Sequence, residues 1–300
     1  MVSDTVKLGA LVAAITLALV AESDAQGKPR MRSHTATEAQ DVRLVTVNRS
    51  VKGGEVTVKV SAGAVKIRAN GIPTHAVGQF PNRGNPHAIS AQRYNFAADK
   101  GQVADMARIF GLSGLFGVGL NGVPFDPGAA EFWKGNPNSG WQYEALGGAV
   151  RLGLDENHAH VQPSGAYHYH GLPWGLMEQL GWSAQQESPL IGYAADGFPI
   201  YALNATVNGK VVEMRSSYRL KPGSRPGGSQ PSGVYDGAFV QDYMYLAGSG
   251  SLDECNGAEV VTAGYPKGTY AYFLTEEFPV IPRCLKGDAD RSFAKRRRRG

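Results

Sequence analysis

A mainly β fold is what this sequence predicts: a single turn-rich domain of antiparallel hairpins, sandwich- or barrel-like, with a few short helices. Three observations carry that expectation. Segments such as Arg43-Leu44-Val45-Thr46-Val47 and Glu55-Val56-Thr57-Val58-Lys59-Val60 alternate apolar and polar residues and are rich in β-branched side chains, the pattern of a half-buried strand. Asn-Gly and Asp-Gly pairs recur between apolar runs, a strong local signal for a hairpin. Finally, 39 glycines and 17 prolines punctuate the 300 residues, which leaves little room for long helices.

At the N-terminus, Lys7 precedes an apolar run over 8–21, and Ser23-Asp24-Ala25 places small residues where a secretory signal is cleaved. The run is short for a membrane span. The expectation is a signal peptide over 1–25, a polar flexible arm over 26–40, and a mature protein that is secreted or periplasmic with no membrane span. The formal charge of +4 hides an asymmetry. Residues 1–25 carry Lys7 against Asp4, Glu22 and Asp24, so a mature chain carries +6, five of it from Lys295-Arg296-Arg297-Arg298-Arg299. The body is therefore nearly neutral, and no part of it resembles a nucleic-acid module. The basic end over 288–300 reads as a disordered, solvated tail.

The β-rich domain is expected over 41–287. Strands at 43–47, 55–60 and 64–68 are separated by Lys52-Gly53-Gly54 and Ser61-Ala62-Gly63. Asn70-Gly71-Ile72-Pro73, Asn121-Gly122-Val123-Pro124 and Asp196-Gly197-Phe198-Pro199 repeat one local device, and Asn208-Gly209 and Asp236-Gly237 resemble it without the proline. A proline has no N–H for a ladder, which assigns these return strands to sheet edges or bends. Short helices are expected at 127–133 and at 173–180, where Pro173 suits the first turn and Gly181 the stop. The stretch 97–110 is ambiguous, with helix from Val103. Residues 221–233 are rich in Gly, Pro and Ser and read as a loop, whereas 268–274 reads as a strand.

Four of the seven histidines lie in one stretch, His158-Ala159-His160-Val161-Gln162-Pro163-Ser164-Gly165-Ala166-Tyr167-His168-Tyr169-His170. Pro163 suits the first central position of a type I turn, and Gly165 the left-handed position that closes a three-residue hairpin loop. Gln162 then faces Ala166, His160 faces His168, and His158 faces His170. Because side chains alternate along a strand, all four imidazoles share one face and the tyrosines take the other. Opposed Cβ atoms lie roughly 5 Å apart, close enough for imidazoles to converge on one ion. The expected metal ligands are His158, His160, His168 and His170. Without a metal, the same residues would make a polar or acid–base cluster.

Imidazole donors suit zinc, copper, iron and nickel, and zinc or copper are the metals expected here. Asp155 and Glu156 lead into the hairpin and are the candidates for a ligand, an orienting carboxylate or a general base. His75 and His87 flank a loop over 78–86 that could cover a site, while Asp196 and Asp236 are turn residues first. Cys255 and Cys284 are the only cysteines and lie in no Cys-x-x-Cys pair, so an exported chain most simply joins them in one disulfide. The sequence holds no Gly-x-Ser-x-Gly elbow, phosphate loop, His-Glu-x-x-His or EF-hand loop.

Tyr167-His168-Tyr169-His170, with His158-x-His160 before it and Gly171 after, resembles the signature of the YHYH-domain family. Asn121-Gly122-Val123-Pro124, the segment from Ile191 to Tyr201, Leu252-Asp253-Glu254-Cys255-Asn256-Gly257, Tyr270-Ala271-Tyr272-Phe273 and Ile281-Pro282-Arg283-Cys284 extend the likeness over roughly 70–287. The resemblance implies an exported protein and one unified domain; it implies no catalytic role for any residue. The functional expectation is an exported metal-binding protein that sequesters metal or binds a cell-surface polymer. The alternative is a metal-dependent enzyme, either a hydrolase using metal-bound water or a copper oxidoreductase.

Overall fold

The alternation in the N-terminal segments becomes a three-stranded antiparallel sheet in a computed structural model, which describes residues 33–46, 49–99, 108–109 and 114–295. Its strands are β1 (Val56–Val60), β2 (Ala64–Ala69) and β3 (Tyr94–Asp99), in that order. Then come β4 (Arg108–Ile109), β5 (Gly117–Gly119), β6 (Pro124–Phe125), β7 (Ala159–Val161) and β8 (Tyr167–Tyr169). The helix α1 (Trp174–Gln179) precedes β9 (Gly192–Ala194), β10 (Pro199–Ala202), β11 (Asn204–Val207) and β12 (Lys210–Glu213). Finally β13 (Tyr218–Leu220), β14 (Tyr243–Tyr245), β15 (Gly257–Thr262), β16 (Tyr265–Leu274) and β17 (Cys284–Leu285) complete the chain. The described residues all belong to one compact unit, Arg32–Gly300.

The main sheet is open, with eight strands in the order β15-β16-β10-β9-β5-β6-β8-β7. It is mixed rather than purely antiparallel, because β10 runs parallel to β16 and β6 parallel to β8. Its apolar side shares a core with the three-stranded sheet, through Ile67 and Phe96, and with α1, through Leu176 and Met177. The histidine hairpin of β7 and β8 forms one end of this sheet.

Several local expectations hold. Asn121-Gly122 joins β5 to β6, Asp196-Gly197 joins β9 to β10, and Asn208-Gly209 joins β11 to β12. The helix expected at 173–180 forms as α1. Others need correction. Pro124 and Pro199 do not mark edges: each opens a strand paired on both sides, where a first residue without an N–H costs no ladder bond. Residues 127–133 form no helix, since Phe132 bridges Gln142 and Trp133 bridges His34 in extended backbone. Val45 makes only an isolated bridge to Asp155 instead of a full strand. The stretch 97–110 supplies the end of β3 and the two residues of β4, and the rest lies outside the described residues.

The described parts of the arm and of the C-terminal tail are more tied down than expected. The described part of the arm docks: Gln40 N–H donates to Gly147 O at 3.0 Å, and Ala39 N–H to the Asp236 carboxylate at 2.9 Å. At the other end, Arg291–Phe293 make a short 3-10 turn, and Phe293 stacks on Phe96 with ring centroids 4.6 Å apart. The polar composition of 288–295 concealed this one aromatic anchor. Residues 1–25 and 296–300 lie outside the described residues. Among those described, no helix is long and apolar enough to cross a membrane.

Candidate metal centre

Gly165 sets the register on which the site depends. It takes φ +83°, and its N–H closes the turn onto Gln162 O at 2.8 Å. A Cβ there would fall 1.9 Å from Ser90 Oγ, so both the turn and the close approach require glycine. Gln162 N–H then bonds Ala166 O at 2.9 Å, and His160 pairs with His168 as expected. The tyrosine face points into the core, where Tyr167 and Tyr169 are fully buried. Tyr169 OH accepts from Asn121 Nδ2 at 2.9 Å and meets His75 Nε2.

On the opposite face three imidazoles converge. His170 Nε2 lies 3.0 Å from His168 Nε2 and 3.1 Å from His160 Nε2. The three rings sit like blades of a propeller, with centroids 4.7, 4.7 and 4.8 Å apart and planes crossing at 64°, 70° and 79°. Three nitrogens bound to one tetrahedral ion at about 2.0–2.1 Å would lie roughly 3.3–3.4 Å apart. The observed spacing is close to that.

Proton counting explains why an ion fits. His160 Nδ1 is 2.9 Å from Leu152 O and His168 Nδ1 is 3.2 Å from Ala166 O. A carbonyl can only accept, so both Nδ1 atoms carry the hydrogen and both Nε2 atoms present lone pairs. Of the three rings, only His170 can supply a proton to the cluster. If it does, its own Nδ1, buried and without a partner, becomes an orphan acceptor. A cation at the centre satisfies all three lone pairs at once. Burial pushes His160 down to about 3, aided by His168, and His168 down to about 4. Burial, with the charges of His168 and His160, drives His170 well below the usual imidazole value. The neutral form that results is the metal-ligating form.

His158 departs from the four-histidine expectation. Its backbone keeps the register, its O accepting from His170 N–H at 2.7 Å. Its φ of +50°, however, places it in a left-handed turn, and its imidazole is not among the three whose ligand atoms lie within 4.8 Å of one another. The cause is local: His158 N–H bonds Asp155 O at 2.9 Å, so the turn over 155–158 claims the residue before the strand begins at Ala159. Its Nδ1 is buried without a partner against Gly171, where a Cβ would come within 2.8 Å.

Asp155 also serves the fold. Fully buried, its carboxylate accepts from Gly78 N–H at 3.0 Å, Asn157 N–H at 2.9 Å and Tyr167 OH at 2.7 Å. These bonds tie the loop from Gly78 and the tyrosine face to the turn. Glu156 is half-buried in the same turn, and neither carboxylate joins the converging group. The loop between His75 and His87 does lie over the hairpin, with Asn85 Nδ2 on Val161 O at 2.9 Å and Asn82 Nδ2 on Gly153 O at 3.0 Å. Asp196 is a buried acceptor for Tyr272 OH, and Asp236 pairs with the buried Arg225.

Two residues near the triad were given no part in the site from sequence: Asp126 was not singled out, and Lys295 was read into the solvated tail. Phe125 pairs with Tyr169 and their rings lie 5.3 Å apart on the core face, so the next residue, Asp126, falls on the imidazole side. Its carboxylate holds Lys295 Nζ at 2.7 Å. Pro-Phe-Asp carries no sequence signal for this; only the parallel pairing of β6 with β8 does.

The bridge Cys255–Cys284 is formed as expected. A family model described as YHYH protein matches residues 94–287. No curated protein and no solved structure matches the chain.

Proposed function

This chain belongs to the YHYH protein family, and from that premise we propose that it is an exported metal-binding protein whose ion sits between His160, His168 and His170. One observation carries the reading. Three Nε2 atoms lie together while the Nδ1 atoms of His160 and His168 are committed to backbone carbonyls, an arrangement that presents lone pairs to a common centre. Borderline nitrogen donors favour zinc or copper(II). The disulfide supports an oxidising compartment, secreted or periplasmic. Residues 158–170 hold the ligands, and the tyrosine face buttresses them from the core.

Three ligands in place of four leave a tetrahedral ion one open position, and that specific observation favours the enzyme reading over simple sequestration. A metal at such a position supplies an activated water or polarises a bound oxygen. Gln162, whose Nε2 is 3.5 Å from His168 Nε2, is placed to hydrogen-bond a group there. A cell-surface polymer remains the alternative partner of a sequestering protein.

Protein purified without an affinity tag should contain close to one equivalent of transition metal, and His168→Ala should lose it while keeping its disulfide and fold. Azide should bind the loaded protein at the open position and shift its spectrum with copper(II). A wild-type protein that neither carries metal nor takes up added zinc or copper(II) would sink the proposal.

A further inference from the structure

Three neutral imidazoles bring no negative charge to a divalent ion, and a buried ion without a nearby anion is poorly stabilised. Asp126 is the carboxylate placed to supply one. It is 2 % exposed, and its N–H bonds Tyr169 O at 2.9 Å, fixing it beside the residue between His168 and His170 along the chain. Burial pushes its carboxyl up, the ammonium of Lys295 favours the ionised form, and its field reaches His160. That charge is already matched within the chain: Lys295 Nζ lies 2.8 Å from Oδ1 and 2.7 Å from Oδ2.

Lys295 is delivered there by its neighbours. Phe293 is buried and stacked on Phe96, and Ala294 bridges Gly114. The ammonium of Lys295 also acts on His168 and His170, disfavouring positive charge on both. Any cation entering the triad meets the same repulsion. Lys295 is 29 % exposed on its side chain, so it can leave Asp126 for solvent without unpacking the core.

We propose, building on the metal reading above, that Asp126 is the charge partner of the bound divalent cation and that Lys295 is a tethered cation competing with the metal for that carboxylate. The first residue of the basic run is thereby a built-in brake on metal affinity. The device sets how much free metal is needed to load the site, since loading must release Lys295 from its partner.

The test is titration of the tag-free, full-length protein with zinc and with cobalt(II). Asp126→Asn should weaken binding by about 10–100-fold, the range for carboxylates that support metal ligands. Lys295→Gln should tighten it by a few-fold, from relief of like-charge repulsion. The opposite signs matter, because both variants break the same ion pair. A merely structural ion pair would lower affinity in both, or leave it unchanged in both. Lys295→Gln binding no tighter than wild type overturns the proposal, even if Asp126→Asn fails to fold. His168→Ala separates the two levels of the argument. If it abolishes binding while Lys295→Gln has no effect, the triad stands and the brake falls; if it binds like wild type, the triad itself is wrong.

Discussion

Protonation of His160, His168 and His170 is opposed by burial, so the folded protein keeps them neutral where an unfolded chain does not. The sign follows from linkage. The unfolded imidazoles titrate near 6.5, whereas the folded values fall to about 4 for His168 and about 3 for His160. Between those limits the unfolded chain binds more protons, so these residues make stability rise with pH from about 3 to 6.5 and contribute no slope above it. Buried carboxyls such as Asp126 and Glu144, raised by desolvation, work in the opposite direction at the acid end. A comparison isolates the imidazole contribution. The melting temperature of metal-free His168→Asn should depend less steeply on pH between 6.5 and 4 than that of wild type. Equal slopes in thermal melts at matched ionic strength would show that His168 is not held neutral.

At the scale of the element, the hairpin is only as good as its turn. The three-residue loop Pro163-Ser164-Gly165 places His160 opposite His168, and a slip of one residue would split the two strands' imidazoles between the two faces. Gly165→Ala puts a side chain on a backbone of φ +83° and against Ser90 Oγ. The expected cost is about 1–3 kcal/mol for the forced conformation. Metal affinity should drop with it, because His160 and His168 lose their fixed spacing. Denaturant unfolding paired with a zinc titration checks both. Full stability with intact binding would mean that the turn does not control the site.

For the whole molecule, the disulfide joins the turn before β15 to β17, and so holds the segment that carries Phe293 and Lys295 toward the main sheet. A cross-link spanning 29 residues contributes roughly 3–4 kcal/mol on the chain-entropy model. Replacing Cys255 and Cys284 together by serine should therefore lower the melting temperature. The triad lies on the hairpin of β7 and β8 and the residue after it, outside the closed loop, so its metal affinity should change by less than about tenfold, or roughly 1.4 kcal/mol. A folded double variant that binds no metal would make the cysteines part of the site.

How much was legible follows from the range of the interactions involved. The β-rich class, most of the Asx-Gly hairpins, α1, the disulfide partners and the pairing of His160 with His168 could all be read from the residues. Each depends on local chemistry: period-2 patterning, a glycine at positive φ, a proline at a helix start, or the absence of other cysteines. His158 stands apart from the other three for an equally local reason, since the turn set by Asp155 overrides simple strand alternation. The parallel neighbours β6 and β10 were not legible, and their prolines pointed wrongly to edges, because a missing N–H says nothing about which strands lie alongside. Asp126 and Lys295 are separated by 169 residues, and no local pattern joins them. That pair comes from packing: β6 laid parallel to β8 sets the carboxylate, and Phe293 buried against Phe96 brings the ammonium to it.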